Sequence, residues 1–327
     1  MSDHSSSLVV FAVVGAMVAG SNSFGMAGSP STSLRSLASL RAGAAQPRTR
    51  TVCVSATDKN GRAVGDLQAD EFQAKAGGKT LEIVSVRPAT SPLRIALIVA
   101  DAGTGAFQLG LAHFMQNLLG HAEFALISVI VQPEMVIDYS TDAGKLSAAL
   151  GRLGRRGVQR GAQLMEALQD ATKDVRRETT RPVIVVMRIG GEATSAITGN
   201  DVRGQLRKSG AILYVISTVG AQRPAPSQIR GTDNISVQQG QLRDAELAES
   251  ASNLALVLGD GSTESGGHHD EVVSTTLVTS LERVADELLH QYEITYAVPD
   301  GVKPGDKLSV SSKRKGVTVH APSRLPN

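Results

Sequence analysis

Apolar residues recur along this chain in two different rhythms. Leu93 to Ala100 (LRIALIVA), Phe124 to Val131 (FALISVIV), Pro182 to Met187 (PVIVVM) and Ala211 to Ser217 (AILYVIS) are nearly continuous apolar runs rich in Ile and Val. That is the pattern of strands buried on both faces. Between them the apolar positions fall three and four apart. Phe107, Leu111, Phe114 and Leu118 share one face of a predicted helix over 107–119. Leu146, Leu150 and Leu153 do the same over 142–153, and Leu164, Leu168 and Ala171 over 161–177. Further helices are predicted over 200–208, 242–256 and 276–290, with a short strand over 135–138. Buried strands alternating with helices predict an α/β fold, a doubly wound, mostly parallel sheet with helices on both sides.

The flanks follow a different pattern. Residues 51–90 read as a small β unit, with turns at Asp58-Lys59-Asn60-Gly61 and at Gly77-Gly78, where Gly and Asn-Gly supply positive φ. Strand candidates at 307–312 and 316–320, joined by Lys313-Arg314-Lys315, are suited to pair with that unit. Tyr292 to Tyr296 follows the last helix directly and closes the α/β domain, set at 91–299, with 300–327 as a tail. Residues 221–241 and 259–275, rich in Gly, Ser, Pro and Gln, read as flexible insertions.

Ahead of all this stands one apolar run, Leu8 to Ala19, too short for the ~20 residues a spanning helix needs but suited to the core of a signal peptide. Gly25-Met26-Ala27 resembles a small-residue cleavage site, although Asp3 and His4 stand where basic residues are usual. Residues 1–27 therefore read as a signal peptide or an uncleaved anchor, 28–50 as a linker, and the protein as exported from a bacterial cell, to the periplasm or beyond.

Composition narrows the chemistry. The 327 residues are 41% hydrophobic and 20% charged, a globular composition, but only 3% aromatic. A net charge of +2 gives no case for nucleic acid. The clusters Arg152, Arg155, Arg156, Arg160 and Lys173, Arg176, Arg177, Arg181 lack interleaved aromatics and read as solvated helix faces. The single cysteine, Cys53, excludes an intrachain disulfide and any thiolate zinc cluster. It reads as a structural thiol in a strand.

Four segments in order resemble the bacterial family of von Willebrand factor type A (VWA)-related proteins. They are VSATDKNGRAVGDLQADEFQAKAGGKTLEIVSV, LRIALIVADAGTG, IDYSTDAGKLSAALGRL with the GAQLMEAL and PVIVVMRIGGEA that follow, and LERVADELLHQYEITYAVP. The resemblance covers roughly residues 51–320 and implies a Rossmann-like VWA fold. It also implies a divalent cation at the carboxyl ends of the strands, held by an Asp-x-Ser-x-Ser loop, a Thr and a distal Asp, through which such domains bind a protein partner. Here Asp101 keeps the first position. The two serine positions are Gly103 and Gly105, Thr104 is out of register, the threonine position is Ala162, and the distal aspartate is Ile189 beside Arg188. Mg²⁺ needs about six hard oxygens, so no metal and no other cofactor is expected. These residues, with Arg160, then form a vestigial site. Asp101 must still be satisfied, either by Arg188 or Arg160 or by backbone N–H groups of the following helix.

Other signals are weaker. DAGTGAF lacks the Lys-Ser/Thr of a phosphate-binding loop, no G-x-S-x-G elbow is present, and His268-His269-Asp270-Glu271 reads as a solvated segment. Two functional classes stay open. One is a non-catalytic module that binds an unidentified protein, touching a membrane only through an uncleaved anchor. The other is an enzyme, a hydrolase or nucleotide-binding protein, using the same crevice. Perturbed titratable groups clustered in that crevice favour the enzyme, and an open, mostly neutral strand-end surface favours the module.

Overall fold

The computed structural model describes residues 48–101, 104–153, 161–218 and 234–325. The predicted signal or anchor and nearly all of the linker lie outside the described residues, as do 221–233 of the first predicted insertion.

The chain enters on β1 (Thr49–Thr57), so the last residues assigned to the linker belong to a strand. β2 (Phe72–Ala76) and β3 (Lys79–Pro88) follow as a hairpin. Ala76 pairs with Lys79, and the two-residue loop Gly77-Gly78 has φ of 54° and 82°. A type I′ turn requires that left-handed backbone at both positions, which explains the glycines. At the other turn the Asp58 carboxylate accepts the N–H groups of Asn60 at 2.7 Å and Arg62 at 2.9 Å. A single bridge, Thr57 to Ala63, is all the pairing that follows.

The α/β part runs β4 (Leu93–Ala100), α1 (Gln108–Asn117), β5 (Ala122–Val129), β6 (Pro133–Ser140), α2 (Ala143–Leu150), α3 (Leu164–Asp174), β7 (Arg181–Arg188), α4 (Gly199–Ser209) and β8 (Ile212–Thr218). Next comes α5 (Asn234–Ala255), which passes through a π-helical turn (Leu256–Gly261) into α6 (Ser262–Ser265). Then come β9 (His269–Val272), α7 (Leu277–Leu289), β10 (Tyr292–Ala297), β11 (Leu308–Ser312) and β12 (Thr318–His320). Two predicted insertions need correction here. Residues 234–241 are helical, and 259–275 hold a helix end and a strand. Between the two segments Leu247, Leu254, Val257 and Leu258 are buried, and their packing stabilises the long helix into which both segments run.

The sheet of the α/β part has the order β6-β5-β4-β7-β8-β9. β5, β4, β7, β8 and β9 are parallel neighbours, and β6 lies antiparallel at one edge. The link from Val129 to Pro133 is far shorter than the dozen or so residues a parallel crossover needs, so β6 has no other option. Side-chain alternation sorts the core into two layers. Leu93, Ile95, Leu97 and Val99 meet Phe107 just ahead of α1, Leu111 and Phe114 of α1, and Leu281, Val284 and Leu288 of α7. Ala96, Ile98 and Ala100 meet Leu164 and Leu168 of α3, Val202 and Leu206 of α4, and Leu254 of α5.

The second sheet draws on both ends of the described chain, in the order β11-β2-β3-β10-β1-β12. β10 was predicted to close the α/β domain, yet it lies at the centre of this other sheet, antiparallel to β1 and β3. Its burial explains the placement. Tyr292, Ile294 and Tyr296 are buried while Glu293, Thr295 and Ala297 are partly open, the pattern of a strand with one core face. The Tyr292 hydroxyl adds a tie, accepting the Leu67 N–H at 2.9 Å and donating to the Val64 carbonyl at 2.7 Å.

Candidate functional site

Asp101 is 6% exposed at the carboxyl end of β4. Its Oδ1 accepts the N–H of Thr104 at 2.9 Å, and its Oδ2 accepts the Thr104 hydroxyl and the Gly105 N–H, both at 3.0 Å. The Thr104 Oγ1 in turn accepts the Ala106 N–H at 3.2 Å. Gly105 takes φ of 74°, a backbone that only glycine holds without strain. The carboxylate therefore fastens its own loop. It does not cap α1, which begins at Gln108 behind Phe107 with no side-chain cap.

The other positions of the predicted site are backbone joints. Ala162 is buried, its N–H donates to the Glu192 carbonyl at 3.0 Å, and its own carbonyl accepts the Thr194 N–H at 3.3 Å. The Ile189 N–H donates to the Ala100 carbonyl at 3.1 Å, and its side chain packs on the core layer that holds Val99. Gly103 and Arg160 lie outside the described residues. These donors do not fit a divalent cation. Both Asp101 oxygens are engaged within the loop, and Ala162, Ile189 and Gly105 bring no side-chain oxygen.

Arg188 does not pair with Asp101. The parallel register sets Arg188 opposite Ala100, so the Arg188 side chain leaves the sheet on the face of Ala96, Ile98 and Ala100. Asp101, one residue further on, belongs to the other face. Arg188 is 6% exposed, and its guanidinium donates Nη2 to the Gly191 carbonyl at 2.7 Å. Burial depresses its pKa from the ordinary arginine value. The second basic cluster also needs correction, since Arg181 is buried and donates to the carbonyls of Ser91 and Leu288 and to Gln291 Oε1.

The largest departure from the sequence reading concerns His268-His269-Asp270-Glu271, expected in solvent. His269, Asp270 and Glu271 lie in β9 at the edge of the parallel sheet, with His268 just ahead of it. Gly266 turns with φ of 90°, and Gly267 presses so close to β8 that a Cβ on it would sit 2.1 Å from the Leu213 carbonyl oxygen. His268 is thereby carried inward. Its Nδ1 lies 3.0 Å from Asp270 Oδ1 and its Nε2 3.1 Å from Glu287 Oε2. Burial alone would push this imidazole down. The hydrogen bonds and charges of Asp270 and Glu287 outweigh burial and hold it up at about 10. Burial would likewise raise Glu287, but His268 keeps it below the usual carboxylate range.

Glu287 joins the two sheets. Its Oε1 accepts the Tyr214 hydroxyl of β8 at 2.9 Å and a short hydrogen bond from the Ser55 hydroxyl of β1. The signal was present in the sequence, because Glu287 interrupts the apolar face of α7 between Val284 and Leu288, and a buried carboxylate requires partners.

One further pair stands at the carboxyl end of β8, where Ser217 Oγ is 2.7 Å from His269 Nε2. Burial lowers the His269 pKa, and the nearby charge of Arg188 adds to that. Ser217 is 1% exposed, and His269 Nδ1 meets no carboxylate among the described residues. At the opposite end of the parallel strands a cavity of about 490 Å³ opens between Cys53, Arg207, Leu206, Ile212 and Leu325. Burial raises the Cys53 thiol pKa, with the Arg181 charge opposing and Glu293 adding.

The strand order and the helices on both faces make residues 93–289 a doubly wound α/β domain with one antiparallel edge strand. No family model matches the sequence, and no curated protein does. Among solved structures, the chain is similar to the pilus adhesin SpaC from Lactobacillus rhamnosus GG, at 9% identity and a TM-score of 0.38 over 77% of this chain and 47% of that one. It is also similar to a von Willebrand factor type A protein from Catenulispora acidiphila, at 11% identity and a TM-score of 0.41, over 85% and 73%. A third is the vWF domain of the type V pili tip protein Mfa5 from Porphyromonas gingivalis, at 8% and 0.39, over 60% and 95%. The chain spans about half the length of the SpaC adhesin it matches. At such identities and TM-scores the likenesses say nothing of ligand or activity.

Proposed function

We propose that this chain is an exported, non-catalytic module that binds a protein partner at the strand-end surface of its VWA-like domain, without a metal. The observation that carries this reading is the use of Asp101. Both of its carboxylate oxygens already accept hydrogen bonds from Thr104 and Gly105, so the loop is held without a cation, and Gly105, Ala162 and Ile189 would add no side-chain oxygen to a cation's shell. Thr104, Gly105 and Ile189, with Gly103 and Arg160, remain the proposed contact surface, and Arg188 and the buried Ala162 leave the set. Export rests on the apolar run and small residues of the first 27 positions.

The enzyme reading has one observation in its favour, the Ser217–His269 hydrogen bond. A nucleophile needs access and its base needs an orienting group. Ser217 is almost fully covered, and the strongly perturbed groups, His268 and Glu287, saturate one another at the seam between sheets. The module reading is therefore the better supported.

Calorimetric titration of the full chain with Mg²⁺ and Mn²⁺ tests the metal-free claim, with no saturable heat at millimolar concentration as the expected result. Capture of a partner from the native envelope should be equal with and without chelator. Saturable metal binding abolished by D101A, or chelator-sensitive capture, would overturn the reading.

A further inference from the structure

A buried arginine without a carboxylate is rare, because desolvating a guanidinium costs several kcal/mol unless a charge and hydrogen bonds compensate. Among the described residues Arg188 is such a residue. It is 6% exposed, one of its five N–H groups is bound, to the Gly191 carbonyl, and no ion pair reaches it among the described residues. It lines a cavity of about 230 Å³ beneath α5, walled by Leu247, Leu254 and Leu258, with Ala251 and Ala255 between them. The carboxylate on that rim, Glu192, pairs with Arg243 at 3.4 Å rather than with Arg188. The neighbouring His269 is held low by burial and brings no compensating negative charge.

We infer that this cavity binds a carboxylate carried on a short aliphatic chain, with Arg188 as the anion partner and the leucines of α5 and its π-helical turn around the chain. A guanidinium presents parallel N–H groups that match a carboxylate in fork geometry. The leucine walls select an apolar substituent next to the acid, and the volume limits it to a few carbons. The acid is either a free short-chain acid or the side chain of an acidic residue on a partner. The site lies on the face of the sheet opposite Asp101, so it stands or falls separately from the strand-end surface.

The test is calorimetric titration of the full chain with sodium butyrate, with an acetylated and amidated Gly-Glu-Gly peptide, and with two controls, butyramide and sodium sulfate. Saturable binding of at least one carboxylate probe is expected, absent for butyramide, and the tighter of the two probes tells whether the acid is free or carried on a chain. R188M should weaken it by about tenfold or more, the loss of a charge-assisted bond. Thermal unfolding of R188M without ligand should be unchanged or raised, because the variant removes an uncompensated charge. A251F, which fills the cavity and leaves Arg188 in place, should also abolish binding and covers the case in which R188M fails to fold. E192Q should leave binding unchanged or tighter. Equal binding of butyrate and butyramide, equal or tighter binding of sulfate, retained binding in A251F, or no binding of either carboxylate by the wild-type chain would overturn the inference.

Discussion

The imidazole of His268 sits with Nε2 3.1 Å from Oε2 of Glu287, and the same carboxylate receives Ser55 and Tyr214 on its other oxygen. A side chain from each sheet and one from the covering helix thus meet at one buried charge. Because His268 is held at about 10 against an unfolded value near 6.5, the protonated pair contributes stability that is complete below about pH 6.5 and lost as pH rises through 10. Glu287 and Asp270 are held low, so their share is present above the usual carboxylate range and lost as pH falls below it. Denaturant unfolding at pH 6, 8 and 10 should show a decline on the order of a few kcal/mol across that window. H268Q should be less stable at pH 6 and nearly flat over the same range. An equal alkaline decline in H268Q would show that another group titrates.

Gly267 has no room for a side chain, since a Cβ would fall 2.1 Å from the Leu213 carbonyl oxygen. G267A should therefore cost about 3 kcal/mol or more, the upper range for overpacking. It should also detach β9 and expose the amide of Val215, which donates to the His268 carbonyl. Equilibrium unfolding and amide exchange at Val215 check both effects.

D101A removes the acceptor of three hydrogen bonds in one loop. A loss of about 2 kcal/mol is expected, in line with the cost of leaving buried donors unpaired. Millimolar Mg²⁺ should change the melting temperature of neither protein. A wild-type chain stabilised by Mg²⁺, with D101A indifferent, would contradict the internal use of this carboxylate.

Cys53 lies at the wall of the larger cavity with its thiol pKa raised by burial. The thiolate is the reactive form, so labelling by a disulfide reagent at pH 7 should be slow and accelerate sharply under denaturant. Labelling at the rate of a free thiol would mean that the seam between the sheets opens readily.

Most helices and strands of the α/β layer, though not β9 or the start of α5, were legible because each follows from spacing within about a dozen residues. Phe107, Leu111, Phe114 and Leu118 mark the buried face of α1 whatever else the chain does, and the glycine pair at 77–78 specifies its hairpin alone. The candidate site was legible only as residue types. That Gly105, Ala162 and Ile189 carry no side-chain oxygen could be read directly, yet that Thr104 and its loop would satisfy Asp101 could not.

The sequence by itself determined the periodicity, the turns and the residue types in each loop, all local properties of the chain. Tertiary structure alone decided which sheet takes β10, on which face Arg188 leaves β7, and that His268 enters the core. Those outcomes depend on pairings between distant segments: Val54 with Tyr292, Ala100 with Arg188, and His268 with a glutamate whose other partner, Ser55, lies 232 residues away from it in sequence. A shift of one residue in strand register would reverse every face. Only the burial of whole layers against one another selects that register, and no window of sequence contains it.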